Sequence, residues 1–347
     1  MLITVSSVKT TVLQSLAAVG VREEDAAIIL DTILFANQRG VATHGIGRLP
    51  LYVKKIKSGH FDPACRVETV SDSMGTAVLD AHNGFGQVAA YKATKLAIAK
   101  AKEYGVAVVG VRNSNNFGAA GYFGDLAARE GMAAMIYANA APAIAPTGGT
   151  KTIFGTNPIC YAFPCGAGED PILLDMATTV AARGKIRLAA KNGEKIPADW
   201  ATGPDGAPTD DPNEALKGAL LPIGGYKGYG LSMFVDLLAG MLTGSAYGGG
   251  VKNLSKMDAD SRNGHLFVVI DTQRFLPPET LKAATEQFRS SVKACGPEGR
   301  IFLPGEIEYL CREKHQDAVE ISEKQYQELA ELTRALGVQA APEPVEV

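Results

Sequence analysis

Residues 84–89 read Gly-Phe-Gly-Gln-Val-Ala, a match to the Gly-x-Gly-x-x-Gly/Ala signature of dinucleotide-binding parallel sheets. No other segment constrains the fold class as much, and its context rules the usual fold out. In that fold the first glycine closes the strand directly, so that backbone can approach a pyrophosphate at a helix N-terminus. Here Asp80, Ala81, His82 and Asn83 separate the strand expected at 76–79 from Gly84. The acidic residue expected after the next strand is also missing, because 106–111 runs into Arg112 and Asn113. The glycines are read instead as room for a helix to start close against a strand. No Walker loop, nucleophile elbow or His-Glu-x-x-His occurs elsewhere.

Periodicity organises the rest. A helix capped by Ser7 and ending at Gly20 precedes a helix over 23–38, with Ala26, Ile29, Leu30, Ile33 and Leu34 on one face. Gly40 ends that helix, 51–56 forms a short one, and Pro63 marks the exit. Strand 76–79, helix 87–104 stopped by Gly105, strand 106–111, a helix reaching Arg129 and strand 132–138 then alternate. The stretch 138–158 is rich in Gly and Pro and poor in charge, so it packs either as a buried crossing or as a pocket wall. Beyond it the pattern predicts a strand at 173–175, helices at 178–193 and 227–242, a strand at 266–271, and helices at 277–294 and 320–336. Residues 198–215 read as a turn-rich excursion and 341–347 as a frayed tail.

The chain has 347 residues, 46% of them hydrophobic, and a net charge of -3. That length supports two or three subdomains. The absence of a long basic tract argues against a nucleic-acid partner. No apolar run is long enough for a membrane span, and the first residues lack a signal-peptide pattern. Five cysteines at irregular spacing, with no Cys-x-x-Cys, read as reduced thiols of a cytoplasmic protein, so no metal site is expected.

The segment 42–52, Ala-Thr-His-Gly-Ile-Gly-Arg-Leu-Pro-Leu-Tyr, concentrates the chemistry. His44 follows the Thr43 hydroxyl, with Arg48 and Tyr52 close behind. Imidazole suits proton transfer near neutral pH, and a guanidinium fork fits a carboxylate. A proton donor four residues from a carboxylate anchor is what reduction of a 2-oxo acid requires. The plainer alternative is a His-Gly turn closing a helix.

An ordered series of motifs raises the first reading: RGVATHGIGRLPLY, GVAVVGVRNSNNFGAAGYF, IFGTNP, LLDMATT with ARGKI, GGYKGYGL, and LPGE at 303–306. Taken in order over most of the chain, this series resembles the type-2 malate/L-lactate dehydrogenases. That family also includes ureidoglycolate and sulfolactate dehydrogenases, 2,3-diketogulonate reductase and cyclic imino-acid reductases. The resemblance implies an α/β (α+β) fold with a non-Rossmann cofactor domain on a largely antiparallel sheet, plus a helical domain. It implies a homodimer, with the site between the two domains and help from the partner subunit. The expected organisation is a helical domain over 1–70, a cofactor-binding domain over 71–275, and a C-terminal helical segment over 276–347 packing back on the first.

The resemblance also carries roles residue by residue. His44 matches the proton donor, Thr43 its hydroxyl neighbour, and Asp175 a carboxylate that relays to the histidine, although a helix N-cap would suit Asp175 as well. Arg48 matches the substrate-carboxylate anchor, with Tyr52 taken as a further substrate contact. Thr156 and Asn157 match a turn beside the nicotinamide and substrate, or simply a turn before Pro158. Asp175, Met176 and Ala177, then Lys227, then Pro304, Gly305 and Glu306 match cofactor-contacting segments. Lys227 at a helix start is otherwise disfavoured by the helix dipole, which an anion nearby would offset. One position departs: the family commonly has a second active-site histidine where this chain has Asn116. Asparagine donates and accepts hydrogen bonds but shuttles no proton.

These readings converge on NAD as cofactor, with NADP as the alternative, and on hydride transfer at C2 of a small 2-hydroxy or 2-oxo acid. The rivals are reduction of a cyclic imine, and a nucleotide-binding protein that has lost turnover.

Overall fold

The structure, a computed structural model, describes residues 1–166, 168–338 and 343. The tail expected to fray at 341–347 lies outside them apart from Glu343. In chain order the elements are β1 (Leu2–Thr4), α1 (Val5–Ala17), α2 (Glu23–Gln38), α3 (Leu49–Lys57), β2 (Glu68–Ser73), β3 (Thr76–Asp80) and α4 (Gly86–Tyr104). There follow β4 (Val106–Ser114), α5 (Ala120–Arg129), β5 (Met132–Ala138), β6 (Ile159–Phe163), β7 (Ile172–Met176), α6 (Arg183–Asn192), α7 (Pro212–Lys217) and α8 (Tyr226–Val235). A π-helical turn, Asp236–Met241, extends α8. The chain continues with β8 (Asn263–Asp271), α9 (Pro278–Lys293), α10 (Glu306–Lys314), β9 (Ala318–Glu320) and α11 (Glu323–Leu336).

Seven strands form one sheet in the order β2-β3-β4-β8-β5-β6-β7. Only β3 and β4 run parallel; the other neighbours are antiparallel. A mostly antiparallel sheet with helices is what the chain's strand-and-helix alternation builds. α4 lies close on this sheet because its buried face is alanine, with Ala89, Ala93, Ala97 and Ala101 against Val109, Val111, Phe267 and Val269. Gly86 starts α4 where a Cβ would stand 2.2 Å from the Asn115 carbonyl, so only glycine permits that approach. The glycine pattern thus serves backbone packing.

A second core joins both ends of the chain. Val8, Val12 and Leu16 of α1 and Ile29 and Ile33 of α2 pack with Val319, Ile321, Leu329 and Leu332. Each such fully buried aliphatic side chain contributes roughly 1.5–3 kcal/mol of transfer free energy. β1 pairs antiparallel with β9, Leu2 opposite Glu320, which seals this core. α9 is held elsewhere: Arg289 donates to the Asp170 carbonyl at 2.6 Å, on the β6–β7 connection.

Several local expectations are corrected. The cap of α1 is Thr4, whose Oγ1 accepts from the Ser7 N–H at 3.0 Å. The helix expected from 178 starts at Arg183, because Thr178 is buried and bonded through N–H and Oγ1 to the Thr156 carbonyl, both at 2.9 Å. The last helix begins at Glu323 behind a Ser322–Gln325 capping box, and 318–320 is strand. Among the described residues no helix is long and apolar enough to cross a membrane. The five cysteines are unpaired.

Candidate active site

After α2 the chain makes two single 3₁₀ turns, Ala42–His44 and Ile46–Arg48, before α3. Asn37, in the last turn of α2, sets this path, its Oδ1 accepting from the Ile46 N–H at 2.7 Å. Gly45 is required between the turns, since a Cβ there would stand 2.3 Å from that oxygen. Arg48 Nε donates to the Thr43 carbonyl at 2.6 Å. Thr43, His44 and Arg48 therefore form one braced unit, and the terminal guanidinium nitrogens of Arg48 stay free of ion pairs with the described residues.

This unit lines a cavity of about 800 Å³ whose other walls come from distant stretches of chain. The β4–α5 turn supplies Asn116 to Gly121, the 138–158 crossing supplies Ala138 to Ala143 and Thr156, and β7 supplies Asp175 and Met176. Arg183 and Arg187 of α6 and the 302–305 loop complete it. The loop is tied to β7 by the Leu173 N–H bond to the Pro304 carbonyl at 3.0 Å. The long crossing is therefore a cavity wall, pinned by an Ile144–Phe154 bridge.

The titratable groups of the cavity are displaced in opposite senses. Burial, reinforced by the Arg48 charge, lowers His44 to about 4. Its Nδ1 is sealed from solvent and has no hydrogen-bond partner among the described residues. Asp175 is raised to about 6, chiefly by burial and to a lesser degree by Glu308, against the Gly121 N–H bond at 2.7 Å. Water reaches its side chain, yet it lines a concavity, so protein crowds the carboxyl even where it is wet. From strand β7 the carboxylate caps the first turn of α5, where the dipole favours negative charge.

Of the residues expected in the site, Thr43, His44, Arg48, Asn116, Thr156, Asp175, Met176, Ala177, Pro304 and Gly305 line the cavity. Four do not. Tyr52 is fully buried among Phe61 and Phe85, and its hydroxyl accepts from Gln87 Nε2 at 2.9 Å. Burying that ring in the helical core outweighs presenting it to a ligand. Asn157 is also fully buried at φ 29, bonding the Ala140 N–H and the Ser232 carbonyl, so it builds the turn that carries Thr156. Lys227 is exposed at the start of α8 and away from the lining. Glu306 accepts from the Leu303 N–H at 2.9 Å and pairs with Lys293, which shapes the loop ahead of α10. The relay from Asp175 to His44 is not formed, since neither atom set bonds the other.

The cavity also holds residues that sequence reasoning passed over: Arg39, Arg183, Arg187, Lys252, His265 and Glu308. His265 is buried, its Nε2 2.9 Å from Ser114 Oγ and its ring stacked on Phe117 with centroids 4.5 Å apart. Burial lowers it to about 3. Its signal was a polar residue in phase with Phe267 and Val269 on the inward face of a strand. Arg39 lies 3.6 Å over the Phe35 ring, its nearest carboxylate oxygen is 3.9 Å away on Asp125, and its Nε is buried without a partner. Burial lowers this guanidinium to about 10. A buried, incompletely paired cation and a wall of further cations fit an anionic dinucleotide. Among the described residues no cluster of His, Cys, Asp and Glu has the makings of a metal site.

Comparison with known proteins gives the class to which this geometry belongs. The family model for malate/L-lactate dehydrogenase matches residues 3–330. An L-sulfolactate dehydrogenase of Methanocaldococcus jannaschii is 40% identical over 95% of this chain and 96% of its own length. A malate dehydrogenase of Pyrococcus abyssi is 39% identical over 94% and 92%. The solved structure of the Methanocaldococcus jannaschii sulfolactate dehydrogenase superposes with a TM-score of 0.91, covering 97% of this chain and 98% of that one at 40% identity. The chain belongs to the malate/L-lactate dehydrogenase family, oxidoreductases that act on a CH–OH group.

Proposed function

We propose that this protein is an NAD(P)-dependent dehydrogenase of small 2-hydroxy acids, with His44 exchanging the hydroxyl proton and Arg48 holding the carboxylate. One observation carries the reading: the braced Thr43–His44–Arg48 unit faces the same cavity as the 175–177 and 304–305 segments. When bound, the nicotinamide supplies or accepts hydride at its C4 carbon. Thr156, Asp175, Met176, Ala177, Pro304 and Gly305 would hold the cofactor, and Arg39 would meet its negative charge. The domain that carries it lies outside the Rossmann class, over 71–275, against helical segments from 1–70 and 276–347.

The chemistry follows from the electrostatics. At neutral pH His44 is neutral, the form that accepts the hydroxyl proton in oxidation. A substrate carboxylate seated on Arg48 cancels the repulsion that helps lower His44. Its basicity then rises by that smaller contribution, while burial, the larger cause, still holds it below the ordinary value of about 6.5. Substrate binding thus strengthens the imidazole as a base for the oxidation direction. Asn116 offers a neutral hydrogen-bonding group and leaves proton transfer to His44.

We read the enzyme as a cytoplasmic homodimer. Leu231, Phe234, Leu237 and Met241 are exposed along α8 and its π-helical extension. They recur every three or four residues, as one helix face does. A second copy of the chain suits such a face, and light scattering on Phe234→Asp should show a shift toward monomer.

The test of the activity is a steady-state panel of 2-oxo acids and cyclic imines with NADH and NADPH. Turnover of a 2-oxo acid is expected. Turnover confined to imines, or nucleotide binding with no turnover at all, overturns the proposal.

A further inference from the structure

α6 starts in the cavity wall with the wrong charge for its position. Arg183 occupies its first turn, where the helix dipole disfavours a cation, and the turn contains no acidic residue. Arg187 follows at i+4, a like-charge spacing that disfavours the helix further. Both side chains line the cavity. Neither has an ion-pair partner among the described residues, and Arg183 has only a long 3.4 Å contact from Nη2 to the Gly218 carbonyl. Burial and the charge of Arg187 both lower the Arg183 guanidinium.

The pair is close to the proposed chemistry. A Cβ built on Gly184 would stand 4.0 Å from Thr43 Cγ2, so the first turn of α6 abuts the residue preceding His44. Lys252 lines the same cavity. The carboxylates in the lining are Asp175 and Glu308. Asp175 is already committed to the Gly121 N–H. Two unfavourable placements on one short helix, facing a cavity with few negative charges, are relieved by an anion seated between them.

We propose that Arg183 and Arg187 form a second anion subsite, separate from the Arg48 anchor, that reads an oxyanion group carried in addition to the 2-carboxylate. Two sources share that chemistry: the distal carboxylate or sulfonate of a dianionic 2-oxo acid, and the 2′-phosphate of NADP(H). A guanidinium pair suits either, because each fork presents parallel N–H donors to an oxyanion. The inference rests on the oxidoreductase reading above.

The variant to use is Arg187→Gln, since Arg187 is exposed and its loss is expected to leave the fold intact. Specificity constants are measured for oxaloacetate and pyruvate, each with NADH and NADPH. A charge-assisted contact predicts a loss of roughly tenfold to hundredfold. A loss confined to oxaloacetate assigns the subsite to the substrate. A loss confined to NADPH assigns it to the 2′-phosphate. Arg187→Lys should restore part of either.

Calorimetric titration gives a readout independent of turnover, with succinate against butyrate and NADP⁺ against NAD⁺ on parent and variant. If the parent reduces neither 2-oxo acid, the activity reading falls while the titration still tests the subsite. Equal losses in all four kinetic combinations, or equal affinities of parent and variant for every titrated ligand, overturn the second subsite.

Discussion

Two groups of arginines in this molecule behave in opposite ways. Around Asp170, on the β6–β7 connection, each guanidinium has a carboxylate partner, although Arg289 Nε is buried without one. Arg312 binds the Asp170 carboxylate through both terminal nitrogens at 2.8 Å, and Arg129 adds a third contact at 2.8 Å. Arg129 also grips Asp125 through Nε at 2.6 Å, and Arg289 takes the Asp170 carbonyl at 2.6 Å. Burial pushes Asp170 up, but the two guanidiniums outweigh it and hold the carboxyl below its usual range. In the cavity, Arg48, Arg183 and Arg187 have no carboxylate partner among the described residues, and His44 Nδ1 has no hydrogen-bond partner among them. Identical side chains thus do two jobs. Paired, they fasten α5, α9 and α10 to the sheet; unpaired around a cavity, they wait for a ligand. The contrast breaks if substitutions in the two groups have the same kind of effect.

The largest effect belongs to His44. His44→Ala should lower turnover by roughly two to four orders of magnitude, as loss of a positioned general acid or base does. Cofactor affinity measured by titration should hardly move. Near-normal turnover in a folded variant would return His44 to the role of a turn residue. The same variant carries a pH signature. The folded state holds His44 at about 4, below the ordinary value of about 6.5, so the unfolded chain takes up a proton that the native state refuses. The resulting stability is present above about pH 6.5 and is lost as pH falls toward 4. Melting temperatures at pH 7 and pH 4.5 should therefore lie closer together in the variant than in the parent.

The paired group should fail in stability instead. Asp170→Ala strands Arg312 and part of the Arg129 fork, and should cost about 1.5–3 kcal/mol, the range for hydrogen bonds to charged groups. Denaturant melts check it, and the remaining folded enzyme should keep its kcat. A kcat loss without destabilisation would place Asp170 in the functional group. Arg48→Lys should show the reverse: unchanged melting, with substrate KM raised by about tenfold, because a point charge does not reproduce a bidentate fork. An unchanged KM would make Arg48 a brace for Thr43 and nothing more.

The contrast also explains what a reader of the sequence could see. The bounds of α2 and β5 follow the periodicity residue for residue, because strong amphipathic patterns survive tertiary packing. β2 escaped notice because Glu68–Ser73 is exposed throughout and has no alternation; it exists by pairing with β3. The β1–β9 pair joins three-residue strands from opposite ends of the chain, which no local window reaches. At the site, His44 and Arg48 were legible because both sit in one short segment. Tyr52 was misplaced by the same nearness, since one helical turn beyond Arg48 points into the aromatic core. Arg183 and Arg187 were passed over because an arginine without a partner looks like any surface arginine until the cavity is seen. Asp175 is expected as a relay to His44 and a cofactor contact; it lines the cavity, but its bond goes to α5, a contact 54 residues distant in sequence.

Asn116 gives the finest test of the contrast, because it belongs to both sides of it. Its Oδ1 accepts from the Gly118 N–H at 3.2 Å, so it is partly satisfied, and it still lines the cavity. Asn116→Asp keeps the shape and the acceptor for Gly118, so the turn should stand and the melting temperature should hold. What changes is one negative charge in a poorly screened concavity that takes anionic substrates. Like charges a few ångströms apart should raise substrate KM about threefold to tenfold, and kcat should fall less. The added charge should also draw His44 upward from about 4, since a nearby carboxylate favours the imidazolium. The acid limb of kcat/KM for oxidation should then move to higher pH in the variant. Kinetics and pH profile indistinguishable from the parent would show that Asn116 serves the turn alone. The missing second histidine would then have no bearing on the substrate.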